Sequence, residues 1–98
     1  MSQFLHNGHV TLAQWFSLDI YNQLGNVGSE VGRAFKWKLF GNMDVATAAF
    51  FRGLELLDAT ITDPKNQARK RELLVARELF GDVFFEKKEK MNEFKKIN

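Results

Sequence analysis

The stretch Ile20-Tyr21-Asn22-Gln23-Leu24-Gly25-Asn26-Val27-Gly28-Ser29-Glu30-Val31-Gly32-Arg33-Ala34-Phe35 decides the fold. Its apolar stripe runs Ile20, Leu24, Val27, Val31, Ala34 and Phe35. Spacings of three and four make an amphipathic helix, whereas a half-buried strand would alternate. Gly25, Gly28 and Gly32 fall on one shoulder of that stripe. Each glycine inside a helix costs up to about 1 kcal/mol relative to alanine. Three on one shoulder point to close backbone approach by another helix, within the chain or across a dimer.

Working outward, Thr11-Leu12-Ala13-Gln14 has the form of a capping box, with Ser17 as a competing start. Gly41-Asn42 supplies a stop, since glycine adopts the left-handed cap conformation. Together these predict one helix from about 12 to 40. A second helix opens at Met43-Asp44, capped by Asn42 or Asp44, with the stripe Ala46, Phe50, Leu54, Leu57 and Ile61. Phe51 points away from that stripe and predicts a second contact surface. Asp63-Pro64 ends this helix and starts the next, Asp63 as cap and Pro64 in the first turn. The third helix runs to about 86, polar from Lys65 to Glu72 and then apolar at Leu73, Ala76, Leu79, Phe80, Val83 and Phe84. Residues 1–10 read as a flexible arm and residues 87–98 as a charged tail, in which Met91, Phe94 and Ile97 recur every third position. The expected architecture is a single all-α domain over 1–98. It has three main helices plus a short C-terminal helix or tail, completed by dimerisation.

The case for a dimer comes from composition. A chain of 98 residues carrying ten phenylalanines and two tryptophans encloses one modest core. Neighbouring helical residues diverge by about 100°, so Phe50-Phe51 and Phe84-Phe85 cannot both face it. Phe51 and Phe85, with the glycine shoulder, are the expected interface residues, and a two-fold dimer is the commonest closed form. No apolar run approaches the roughly 18 residues of a membrane span, and the start lacks the pattern of a signal peptide. The expectation is a soluble, cytoplasmic protein.

Catalytic patterns are missing. With no cysteine there is no thiolate nucleophile or thiolate metal site. His6 and His9 flank a glycine turn with no third ligand to support them. Ser29 has no histidine placed to activate it. The Glu-x-x-His pairs of di-iron bundles are missing; Glu30, Glu55 and Asp58 could hold magnesium in a metal-dependent hydrolase, but the second member of Glu55-x-x-Asp58 is Asp rather than the Glu of a Glu-x-x-Glu pair. We therefore expect no enzyme and no cofactor. Asn22, Asn26, Glu30, Arg33 and Trp37 follow one another along one helix face, and Arg52, Glu55 and Asp58 could meet them from the second helix. This group is either a ligand or partner site with Trp37 as platform or, preferably, a hydrogen-bond network that fixes register.

Charge is polarised along the chain. The net charge is +2, residues 1–32 contain no Lys or Arg, and residues 64–98 contain ten against six acids. Arg69, Lys70, Arg71 and Arg77 are the candidate phosphate contacts of an alternative function, a nucleic-acid-associated accessory bundle. The helical-bundle ribonucleases of the HEPN superfamily invite comparison. Their motif is an arginine followed by a histidine, and here both histidines precede the first arginine, Arg33.

Two segments carry a resemblance. Gln23-Leu24-Gly25-Asn26-Val27-Gly28-Ser29-Glu30-Val31-Gly32-Arg33-Ala34 with Trp37-Lys38 is one. Ala49-Phe50-Phe51-Arg52-Gly53-Leu54-Glu55-Leu56-Leu57-Asp58, followed by Asp63-Pro64-Lys65-Asn66, is the other. Residues 15–85 resemble a widespread set of small prokaryotic proteins with no attached activity. The resemblance implies a compact helical domain, and the charged tail departs from the pattern.

Overall fold

The computed structural model describes residues 10–86, so most of the arm and the whole charged tail lie outside the described residues. Every regular element is helical: α1 (Leu12–Phe16), α2 (Ile20–Leu39), α3 (Met43–Thr62), a 3-10 helix (Pro64–Arg69) and α4 (Lys70–Phe84). The all-α expectation holds.

The capping box forms at Thr11. Its hydroxyl accepts from the Gln14 amide at 3.1 Å, and the Gln14 side chain accepts from the Thr11 amide at 2.9 Å. The helix expected over 12–40 is nevertheless two helices. The Ser17 hydroxyl donates to the Gln14 carbonyl at 2.6 Å, and Asp19 turns to extended backbone (ψ 168°). The Asp19 carboxylate then accepts from the Asn22 amide at 2.8 Å. A serine competing for a backbone carbonyl, followed by a strong cap, outweighs continuity. Past this break α2 runs without interruption through all three of its glycines.

At its far end α2 closes in a Schellman turn: the Asn42 amide donates to the Trp37 carbonyl and the Gly41 amide to that of Lys38. Gly41 sits at φ +82°, the left-handed region that glycine enters without a Cβ penalty. The Asn42 side chain caps α3 by accepting from the Val45 amide at 3.2 Å. One short turn thus folds two 20-residue helices into an antiparallel hairpin.

Small residues make the hairpin tight. Ala34, Ala46 and Ala49 are fully buried. A Cβ on Gly53 would lie 3.2 Å from the Val31 Cγ2 and 3.3 Å from the Glu30 Cβ. The glycine that admits close approach within the chain is therefore Gly53 on α3. The shoulder glycines face open space, with nothing within 4 Å of a Cβ built at Gly25, Gly28 or Gly32.

The core has two parts. Trp15, Val27, Val31, Leu56, Leu57, Ile61 and Leu73 fill one; Ala34, Ala46, Ala49, Phe50 and Phe84 fill the other. Phe35 and Phe80 pack against both. Phe84 anchors α4, stacked on Phe50 at 4.2 Å and edge-on to Phe35 at 5.6 Å. The Lys38 ammonium donates to the Phe84 carbonyl and lies 5.1 Å from its ring. A cation at a helix C-terminus is favourable there.

Replacing Phe50 by alanine should cost about 3–5 kcal/mol, because it empties the stack beneath Phe84. Gly53→Val should cost about 1–3 kcal/mol by forcing α2 and α3 apart. Urea unfolding followed by circular dichroism measures both.

Candidate functional site

Three constellations stand out. The most buried is a polar knot where α1, α2, α3 and the 3-10 helix meet. Gln23 is fully buried and Asp63 and Asn66 nearly so. The Gln23 amide donates to the Trp15 carbonyl at 3.0 Å and to Asp63 Oδ2 at 2.9 Å. Its oxygen accepts from Asn66 Nδ2 at 2.8 Å, and Asn66 also donates to the Thr60 carbonyl at 3.1 Å. Trp15 Nε1 donates to Thr60 Oγ1 at 3.0 Å, and that hydroxyl donates to the Leu56 carbonyl at 2.8 Å. The Lys65 ammonium joins Asp63 to the Phe16 carbonyl. Among the described residues no buried side-chain polar atom lacks a partner. A network in which each buried polar atom has a partner fixes how the segments meet.

This knot contains what the sequence pattern misplaces. The stripe takes Leu24 inward, yet Gln23 occupies the inward position and Leu24 is exposed. A polar residue between Ile20 and Val27 on the inward side of the wheel was the available signal. Its partners at 63 and 66 are too distant in sequence for periodicity to reveal.

Asp63 responds to opposed effects. Burial pushes its carboxyl up, but hydrogen bonds from Lys65 and Gln23, together with the Lys65 charge, hold it below the usual carboxylate value. A carboxyl depressed by folding stabilises the fold above its unfolded pKa, and that contribution is lost as pH falls through the folded value.

The second constellation is the expected polar group, and only part of it assembles. Glu30 accepts from Arg33 on its own helix and, at 3.0 Å, from Arg52 Nε on α3. Asn26 instead donates to the Asn22 carbonyl one turn back. Trp37 packs edge-on against Phe40, ring centroids 6.1 Å apart. Glu30, Arg33 and Arg52 thus form a clasp across the hairpin beside Gly53, in keeping with the register reading. Glu55 lies half-buried on α3. The magnesium set does not converge: Glu30 is held by two arginines and Asp58 by Arg77. Among the described residues no three His, Asp or Glu side chains are grouped to hold a metal ion.

The third is the surface. Arg69, Lys70 and Arg71 are exposed at the junction of the 3-10 helix and α4. Arg77 is separated from them in role, because both its Nε and Nη2 engage the Asp58 carboxylate, which raises its pKa. Apolar exposure is more extensive. On α2, Tyr21 and Leu39 are 77% and 88% exposed, with the glycine shoulder between them. On α4, Val75, Leu79 and Val83 stay exposed along one flank, although the sequence pattern turns Leu79 and Val83 inward. Phe51 and Phe85, 6.4 Å apart, form a half-exposed pair over the buried aromatic stack.

Among the described residues no helix is long and apolar enough to cross a membrane. Comparison with protein-family models, curated proteins and solved structures returns no match.

Gln23→Ala should cost about 1–3 kcal/mol, since Asp63 and Asn66 lose a buried partner. Asp63→Asn should lower stability at pH 7 and flatten its decline below about pH 4, where the wild-type carboxylate is lost. Thermal melts from pH 7 down to pH 2 give both values.

Proposed function

We propose that this chain is a cytoplasmic, self-associating helical module that works by binding protein rather than by catalysis. The observation that carries the proposal is the exposure of large apolar side chains on two helices, Tyr21, Leu24 and Leu39 toward the ends of α2 and Val75, Leu79 and Val83 along the outer flank of α4. Scattered exposed leucines are ordinary, whereas contiguous apolar faces mark interaction sites. The polar constellations support the same reading, because their groups are consumed by internal partners.

A second reading has one specific observation behind it. Arg69, Lys70 and Arg71 are adjacent, exposed and suited to phosphate. Removal of Arg77 to Asp58 reduces that footprint.

Size-exclusion chromatography with light scattering, read at 260 and 280 nm, tests the proposal. The expected result is a mass near twice 11.3 kDa with a protein-like absorbance ratio. A monomer at all concentrations contradicts self-association. A peak carrying nucleic acid that is released by salt promotes the second reading.

A further inference from the structure

We infer that the face of α2 bearing Tyr21, Leu24, Gly28, Gly32 and Leu39 is covered by the same face of a second copy. The two helices run antiparallel, with a two-fold axis passing between Gly28 and Gly32. This deepens the self-association proposed above and rests on it.

The geometry begins with helical spacing. At about 100° per residue Tyr21 and Leu39 share one direction, with Leu24 and Phe35 to one side and Gly25 and Lys36 to the other. Phe35 is edge-on to Phe84, so α4 borders this face. The centre is bare, because nothing lies within 4 Å of a Cβ at Gly28 or Gly32. The ends are bulky, because Tyr21 and Leu39 project into solvent.

Reversing the helix about residue 30 maps this face onto itself. Tyr21 meets Leu39, Leu24 meets Phe35 within one residue, and Gly28 meets Gly32. Self-complementarity of this kind is what an isologous two-fold contact requires. Bare glycines at the crossing let the two backbones approach.

Charge selects the direction. Residues 20–32 of α2 contain no cation, and the Asp19 carboxylate caps their start. In the other half Arg33 is held by Glu30 and Lys38 by the Phe84 carbonyl and Glu86, and the exposed Lys36 borders this face. A parallel pair sets Lys36 beside its own copy and aligns the helix dipoles. An antiparallel pair sets Lys36 against the cation-free half of its mate and opposes the dipoles. The exposed Lys36 then lies over the partner's Gly25, toward the end that Asp19 caps.

The α2 strip needs the neighbouring α4 flank to reach the size of a stable interface. A 20-residue helix is about 30 Å long, and one strip of it about 10 Å wide is small for an interface. A stable interface buries roughly 800 Å² per partner. Val75, Leu79 and Val83 add to it on the α4 flank turned away from Arg77 and its partner on α3.

The chain has no cysteine, so single cysteines report position without ambiguity. Tyr21→Cys and Leu39→Cys proteins are oxidised separately and as a mixture. The expected result is a disulfide-linked species of twice the chain mass in the mixture, and none in either protein alone. Cross-linking of either protein with itself overturns the antiparallel assignment. Absence of any cross-link, while light scattering shows both variants to be dimers, overturns the choice of face. As a second readout, Leu39→Glu should yield monomer and Phe51→Glu should leave the mass unchanged; the reverse pattern would place the interface at Phe51 and Phe85 instead. A wild-type chain that is monomeric throughout fails the self-association reading itself, which light scattering detects before any variant is made.

Discussion

The seam between α2 and α3 is built of small residues, and the rest of the molecule follows from that. Ala34, Ala46 and Ala49 leave no room for solvent, and Gly53 brings α3 against the backbone of Val31. Helices this close bury one face each against the other and have little apolar surface to offer a third helix. Accordingly α4 docks through three residues, Leu73, Phe80 and Phe84, the last held by Phe50, Phe35 and Lys38. What α4 does not cover stays exposed: the shoulder and ends of α2, and its own outer flank. The described chain has a radius of gyration of 14.9 Å. A compact fold of about this length measures roughly 11–13 Å. The principal extents, 48 × 33 × 20 Å, make it longer than it is thick.

Polar groups do in the interior what apolar packing does not. A hairpin with alanine at its seam can slide, since small side chains interlock weakly. The Glu30–Arg52 pair ties α2 to α3 at one register, and the knot at Gln23 ties α1 and the 3-10 helix to both. Buried polar groups are costly when unpaired and specifying when fully paired. Among the described residues every buried side-chain nitrogen and oxygen has a partner. The contribution of these groups is to uniqueness of the fold.

Much of this was legible in the sequence, and the failures have physical causes. The capping box at Thr11, the turn at Gly41-Asn42, the Asp63-Pro64 junction and the exposure of Phe51 all follow from local chemistry, and local chemistry is what a sequence displays. The break at Ser17–Asp19 escaped because Trp15 and Phe16 continue the apolar pattern into it, while the hydrogen bonds that create it are side-chain choices. Gln23 escaped because its partners lie forty residues away. Of the expected polar site, Glu30, Arg33 and Arg52 come together, but Asn26 and Trp37 turn to nearer partners. The glycine shoulder shows the limit most clearly. Three glycines on one helix side announce a close approach without saying by what, and the approach within the chain uses a different glycine.

We propose that a second copy covers α2 and α4. Hydrogen–deuterium exchange measured across a hundredfold range of chain concentration separates this from a lone chain, because association protects the covered segments and leaves the rest unchanged. Exchange should slow at high concentration in residues 21–39 and 74–84, with little change around Thr60–Asn66. Exchange independent of concentration throughout the chain, in a range where light scattering shows monomer, would contradict it.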